Sequence, residues 1–491
     1  MSYMYGQDIT DALRYSQDEI QGTARFRALS GAFGALGGDM SAVSLNPAGS
    51  AVFARSHASF TVSNLDTQND TRYFNGFNSS SDTKFDLNQG GAVFVFANNN
   101  SNSPWRKFSM GVGYDKMRNF DDNWVASGTN TNNNSIDLYF LDYANGLRLD
   151  EISALPGESY TDAYSEIGDL YGFANQQAFL GYESYILEPD ADDDANTSYF
   201  SNLANGTFNQ DYNYASTGYN GKITFNAAVQ YEDNLYLGVN LNSHLINYDR
   251  TTLLYENNSN AGSLINEIEF DNTLSTTGTG FSFQLGGILK LSNEFRVGLT
   301  YDSPTWYTIE EETTQYIATA YSTDNPVIIN PQIVNIYPSY KLQTPGKLTG
   351  SIAYVFGKEG LFSFDYSRKD YSATKFKPTS DAYFVSQNNI INNNLKAAST
   401  YRFGAEYKYK QFSFRGGYRF EESPYKDEVT IGDLNGYSLG IGINFGNTKL
   451  DITYDQAQRT SQNQLYNVGL TDAAMVDTKN SNITLSLGFN I

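Results

Sequence analysis

Hydrophobic and polar residues alternate along most of this chain. In residues 106–116, Phe108, Met110, Val112 and Tyr114 share one parity, and Lys107, Ser109, Gly111, Gly113 and Asp115 share the other. A period of two marks a β-strand, because successive side chains point to opposite faces of a sheet. The pattern returns over 223–231, 235–241, 281–291, 295–301, 348–356, 362–366, 401–409, 412–420, 437–445, 450–454 and 483–491. One parity is aromatic and aliphatic. The other carries Arg296, Asp302, Asp365, Arg402, Glu406, Lys408, Arg415, Arg419, Asp451 and Asp455, with glycines between them. A water-soluble barrel or sandwich buries its inner face and needs it apolar. Apolar outside and polar inside is the transmembrane arrangement. In hydrocarbon every backbone N–H and C=O must be paired, so such a sheet has to close on itself.

The connections predict the strand count. Short turns fall near 98–105, 232–234, 292–294, 357–360, 410–411 and 446–448, and longer polar segments near 69–83, 120–215, 251–275, 308–340, 372–396, 422–435 and 458–480. Thirteen connections give fourteen strands. Short turns on the periplasmic side and long loops outside is the bacterial rule. The expected fold is therefore all-β, a fourteen-stranded antiparallel transmembrane barrel over residues 56–491.

Two regions depart from the strand pattern. Residues 1–55 precede the first strand, and 22–55 are rich in Gly, Ala and Ser, which suits a compact plug inside the lumen. Asp8 is placed to cap a short helix. In the extracellular loop 120–215, Ile136, Tyr139, Phe140, Tyr143 and Leu147 follow helical spacing after Ser135, a plausible cap. A second such stretch runs from 163 to 187. These helices form either a small core capping the barrel or a greasy landing site for an apolar ligand built from Phe140, Tyr143, Leu147, Tyr171 and Phe179.

Composition narrows the function. A net charge of -22 excludes a nucleic-acid partner, whose phosphates require Lys and Arg. There is no cysteine, and with it no disulfide or thiolate metal site. No window approaches 18 apolar residues, so a transmembrane helix is not expected. Residues 1–8 lack the basic and apolar regions of a signal peptide, so numbering from near a mature N-terminus is expected if the chain is exported.

One segment is highly specific. Gly31-Ala32-Phe33-Gly34-Ala35-Leu36-Gly37-Gly38-Asp39-Met40-Ser41-Ala42-Val43-Ser44-Leu45-Asn46-Pro47-Ala48-Gly49 resembles the N-terminal signature of the FadL family, outer-membrane transporters of long-chain fatty acids and aromatic hydrocarbons. Gln343-Thr344-Pro345, the stretch 401–407 and the stretch 415–419 also look family-like. The resemblance implies fourteen strands, an N-terminal plug, a helical extracellular loop after the third strand and residence in the outer membrane of a Gram-negative bacterium. It also implies that Asn46, Pro47 and Ala48 lock plug to wall, and that ligand leaves sideways through a kink in the third strand, about 106–120, where Gly111 and Gly113 permit bending. Richness in Asn, Tyr and Asp, with long acidic loops, resembles Bacteroidota members.

Candidate chemistry is otherwise sparse. His57 and His244 are the only histidines, nothing sets them up as a haem pair or as part of a catalytic group, and neither an enzyme nor a cofactor is expected. Asp190, Asp192 and Asp194 match the first, third and fifth positions of a calcium loop, but the later Gly and Glu are missing. They read as a solvated acidic loop, a weak Ca²⁺ site, or a contact to divalent-bridged lipopolysaccharide. The expected function is outer-membrane transport of a small hydrophobic molecule. Its rival is a non-transporting accessory subunit of a larger outer-membrane complex, suggested by the mass of polar loops.

Overall fold

The computed structural model describes residues 7–100, 102–321 and 326–491, so the first six residues of the expected plug lie outside it. Fourteen antiparallel strands form one closed sheet. They are β1 (His57–Tyr73), β2 (Gly76–Ala97), β3 in two pieces (Trp105–Asn119 and Asp122–Asn130), β4 (Phe208–Tyr231), β5 (Leu235–Asn257) and β6 (Ile265–Lys290). Then come β7 (Phe295–Asp302 and Trp306–Tyr321), β8 (Val327–Ile329, Asn335–Ile336, Tyr340–Gln343 and Lys347–Phe356), β9 (Gly360–Asp370) and β10 (Ala397–Tyr409). The last four are β11 (Phe412–Glu421), β12 (Leu434–Asn444), β13 (Thr448–Gln464) and β14 (Ala473–Asn490). β1 pairs with β14 from His57↔Asn490 to Arg72↔Met475, which closes the barrel. No helix among the described residues is long and apolar enough to cross a membrane.

The alternating parity lands as expected. Phe225, Leu241, Leu299, Phe362, Leu439 and Ile483 are exposed on the outer surface, while Asn226, Asn240, Thr300, Ser363 and Thr484 are buried inside. Several expected loops are strand instead. Residues 69–83 form the top of a long β1–β2 hairpin whose turn is only Phe74-Asn75. The loops expected at 251–275 and 458–480 shrink to 258–264 and 465–472. Above the hydrocarbon both faces of a strand meet water or loops, so the alternation fades while the Ser- and Thr-rich backbone goes on pairing.

The N-terminal residues lie inside the barrel. Asp8 caps α1 (Ile9–Arg14) by accepting from the N–H groups of Thr10 and Asp11. α2 (Ala24–Ala28), α3 (Met40–Leu45) and a 3-10 turn (Pro47–Val52) follow. Above the barrel, α4 (Asp137–Ala144), α5 (Tyr160–Leu170) and α6 (Phe173–Glu183) form a cap. Its core joins Phe140, Phe179 and Ile186 to Phe270, Ile317 and Val476 on the strand extensions. α7 (Ala382–Asn394), between β9 and β10, packs Phe384 and Ile391 near Leu13 of α1.

Candidate functional site: the cavity between plug and cap

The plug has little regular secondary structure to satisfy its own backbone, and the wall supplies partners. Asn226 donates to the Pro47 carbonyl at 2.9 Å, Asn240 to Val43 at 2.8 Å, and Gln284 to Ser44 at 2.9 Å. On the far wall, Asp365 accepts from the N–H groups of Phe33 and Gly34, both at 2.9 Å. Charge pairs add to this. Arg27 forms a two-pronged pair with Asp455, both contacts 2.8 Å, and Glu406, its side chain fully buried, takes Arg25 at 2.9 Å and Arg415 at 2.6 Å.

The Asn46-Pro47-Ala48 element sits against β4, β5 and β6. Asn46 donates to Gly34 O of the plug at 2.7 Å and to Gly287 O of the wall at 3.2 Å, and accepts from Ala48 N at 3.1 Å. The wall facing it must be glycine. A Cβ on Gly238 would lie 2.4 Å from the Pro47 carbonyl carbon, and one on Gly286 2.1 Å from Asn46 Oδ1.

Above the plug a cavity of about 1270 Å³ opens toward the cap. Tyr143, Tyr171 and Phe173 of the cap and Ile390 of α7 line its upper part. Its middle is aromatic: Trp124 stacks on Tyr214 at 5.1 Å, the Tyr214 and Tyr248 hydroxyls are 3.0 Å apart, and the Arg14 guanidinium lies 4.3 Å above the Tyr248 ring. Its floor is charged. Asp18 lies 3.1 Å from Lys347 and 3.4 Å from Lys369, and although burial works the other way, these lysines hold its carboxyl well below the usual range. Arg250 and Arg402 line the same cavity, and among the described residues neither has a carboxylate within ion-pair distance.

The cavity reaches a seam in the wall. The β2–β3 ladder runs only from Ala97↔Lys107 to Gln89↔Asp115. Above it β2 pairs with β1 alone, and β3 is interrupted at Phe120-Asp121 before Asp122–Asn130 pairs with β4. Two ion pairs span the gap, Lys84–Asp121 at 2.6 Å and Lys116–Asp86. Gly111 and Gly113 do not mark this break. They sit in the continuous ladder opposite Val93 and Gly91, and the interruption comes seven residues after Gly113, beyond a register shift between Lys116 and Arg118.

The expected ligand residues divide. Tyr143 and Tyr171 line the cavity, but Phe140 and Phe179 are wholly buried in the cap core, and Leu147 packs against that core. Helical spacing shows which residues share a face, not whether that face meets a ligand or a neighbouring helix. Asp190, Asp192 and Asp194 are exposed, and among the described residues no three acidic or histidine side chains gather as a metal site requires. His57 stacks on Phe53 at 5.2 Å and lies 3.0 Å from Asn490 Oδ1; His244 lies 2.8 Å from Ser282 Oγ. The sequence reading missed Arg14, Trp124, Tyr214, Tyr248 and Arg250. Tyr248 and Arg250 could have been found, since they continue the inward parity of Asn240, Asn242 and His244.

The sequence profile of the family described as "Outer membrane protein transport protein (OMPP1/FadL/TodX)" matches residues 193–491. The chain belongs to this family. Membership places the barrel in the outer membrane, among transport proteins. Solved structures share the fold of this FadL/TodX-family barrel at low identity. A Pseudomonas aeruginosa FadL homologue is 12% identical with a TM-score of 0.55, covering 96% of this chain and 99% of that one. The P. putida toluene transporter TodX is 11% identical with a TM-score of 0.55 and the same coverage. The Ralstonia pickettii toluene transporter TbuX is 15% identical with a TM-score of 0.51, covering 96% and 98%. No curated protein matches this chain by sequence.

Proposed function

We propose that this barrel carries a small hydrophobic molecule, fatty-acid-like or aromatic, into the outer membrane through its plugged lumen. The carrying observation is the cavity of about 1270 Å³ enclosed between plug, wall and cap, aromatic in its middle and charged at its floor. Such a lining suits a ligand with an apolar body and one polar end. Trp124, Tyr214 and Tyr248 hold the body, and Arg250, which stands on β5 beside these rings between the levels of Tyr248 and Tyr214 and has no carboxylate partner among the described residues, takes the polar end. Tyr143 and Tyr171 flank the entrance. Exit runs sideways through the β2–β3 seam once the Lys84–Asp121 and Lys116–Asp86 pairs part, and the filled lower bore blocks ions.

Mass spectrometry of the barrel extracted from outer membranes tests this. A stoichiometric hydrophobic molecule, weakened at least tenfold in retention by Arg250→Gln, is expected. A barrel that carries no such molecule and binds none when supplied with fatty acid or toluene overturns the proposal. One feature favours the accessory-subunit reading: Leu155 and Leu170 of the cap and Ile336 of β8 are each at least 65% exposed. Extraction in gentle detergent separates the two, since a stoichiometric protein complex with an empty cavity supports the accessory role.

A further inference from the structure

The outer surface of the barrel carries a dent between β10 and β11. Between β10 and β11, Gly404 pairs with Gly417 and Ala405 with Gly416, so two successive rungs have almost no side chains. The inward pair is explained by the plug. A Cβ on Gly404 would fall 2.7 Å from Leu29 Cβ, and one on Gly417 2.6 Å from the Leu29 carbonyl carbon. The outward pair has no such cause. A Cβ on Gly416 would meet nothing nearer than 3.7 Å. Large rings stand round this floor: Tyr354, Phe362, Phe364, Phe403 and Tyr418 enclose an apolar groove of about 500 Å³. That volume is within the range of small-molecule sites, about 300–1,000 Å³.

The groove has a fixed depth. Gly416 lies four residues above Phe412, the first residue of β11 on the short-turn, periplasmic side. At about 3.3 Å per residue and about 40° of strand tilt, that is roughly 10 Å into an apolar band about 25 Å tall. The groove therefore faces the inner, periplasmic leaflet. The rim below it carries Lys358 in the β9 hairpin turn and Lys410 in the β10–β11 turn. Among the described residues neither has an ion-pair partner, and Lys410 Nζ lies 5.3 Å from the centre of the Tyr409 ring. Glu359 and Glu294 share the rim, and Lys408 is held by Glu406 at 3.3 Å. Two unpaired ammonium groups beneath an apolar groove, on a chain of net charge -22, match a phosphate attached to a hydrocarbon chain.

We propose that this face holds one phospholipid of the periplasmic leaflet, with an acyl chain in the groove over Ala405 and Gly416 and its phosphate between Lys358 and Lys410. The site lies on the opposite side of the wall from the plug and is separate from the transported ligand. Its occupant fills a surface that flat annular lipid would leave void, since a void forfeits dispersion contacts along its whole lining.

The test uses the full barrel in nanodiscs containing phosphatidylethanolamine and phosphatidylglycerol, delipidated stepwise and weighed by native mass spectrometry. One phospholipid should survive delipidation, with phosphatidylglycerol preferred. Gly416→Leu, which fills the groove from outside, should lower its retention about tenfold. Lys358→Glu with Lys410→Glu should abolish the phosphatidylglycerol preference. Ala227→Leu, an outward change on β4 away from the dent, should leave retention unchanged, and all variants should show the heat-dependent gel mobility of a folded barrel. If Gly416→Leu fails to fold, the lysine pair alone decides. The proposal is overturned if no phospholipid survives on the wild type, if the lysine variants retain it with the same preference, or if the groove proves to be covered by a second copy or by the transported ligand.

Discussion

The lower bore is filled by a polar interface and the upper bore by an apolar one, within one continuous barrel. Below, wall residues such as Asn226, Asn240, Gln284 and Asp365 bond to the backbone of a plug that has little regular structure of its own. Above, Phe140, Phe179 and Ile186 of the cap pack on Phe270 and Ile317. The difference follows from what each insert needs. A helical cap satisfies its own backbone and has only side chains to bury, whereas an irregular plug has orphan N–H and C=O groups that need outside partners. The cavity lies where the two fillings meet.

This contrast can be broken from either side. Glu406→Ala leaves the Arg25 guanidinium without its carboxylate and the buried Arg415 with Asp451 alone. Losing one partner of a buried pair costs about 3–5 kcal/mol, and unfolding in detergent micelles should show it for plug and barrel together. Phe179→Ala should also cost about 3–5 kcal/mol, but locally. Protease should cut within 131–207 while the gel mobility of the barrel stays unchanged. If both variants lower global stability alike, the two regions are not independent.

A pH effect sharpens the same distinction. Glu256 sits under the cap, bonded to Ser135, Ile136 N and Gln210, and burial pushes its carboxyl up to about 7 from an ordinary 4.5. The folded cap therefore favours the protonated form. Its contribution is fully present below pH 4.5, falls as pH rises and is gone above pH 7, a change of about 3 kcal/mol. The protection factors of residues 131–137, with the base catalysis of exchange divided out, should be lower at pH 8 than at pH 5, and Glu256→Gln should flatten that response without touching the plug. The smallest effect is expected from Asn46→Ala, which removes bonds to Gly34, Gly287 and Ala48. A cost of about 1–3 kcal/mol should appear as faster exchange across 40–52 and leave the cap as it was.

The sequence by itself determined the barrel. Strand parity follows from the solvent on each side of the wall, so Phe362 outside and Ser363 inside are legible from the alternating pattern alone. The fourteen strands and the short α1 capped by Asp8 were readable for the same local reasons. Strand lengths were not. Where β1 and β2 rise above the membrane the alternation stops, though the pairing continues to Tyr73↔Gly76. The site was only half legible. Tyr143 and Tyr171 meet the cavity and Phe140 and Phe179 do not, because one helical stripe faces either open space or a core according to what the far strands present. Only the tertiary structure brought Arg14 of the plug over Tyr248 of β5, broke the ladder at Phe120-Asp121 and left Arg250, among the described residues, without a carboxylate at ion-pair distance. Contacts between residues hundreds of positions apart depend on how the closed sheet staggers its strands, and no local pattern records that stagger.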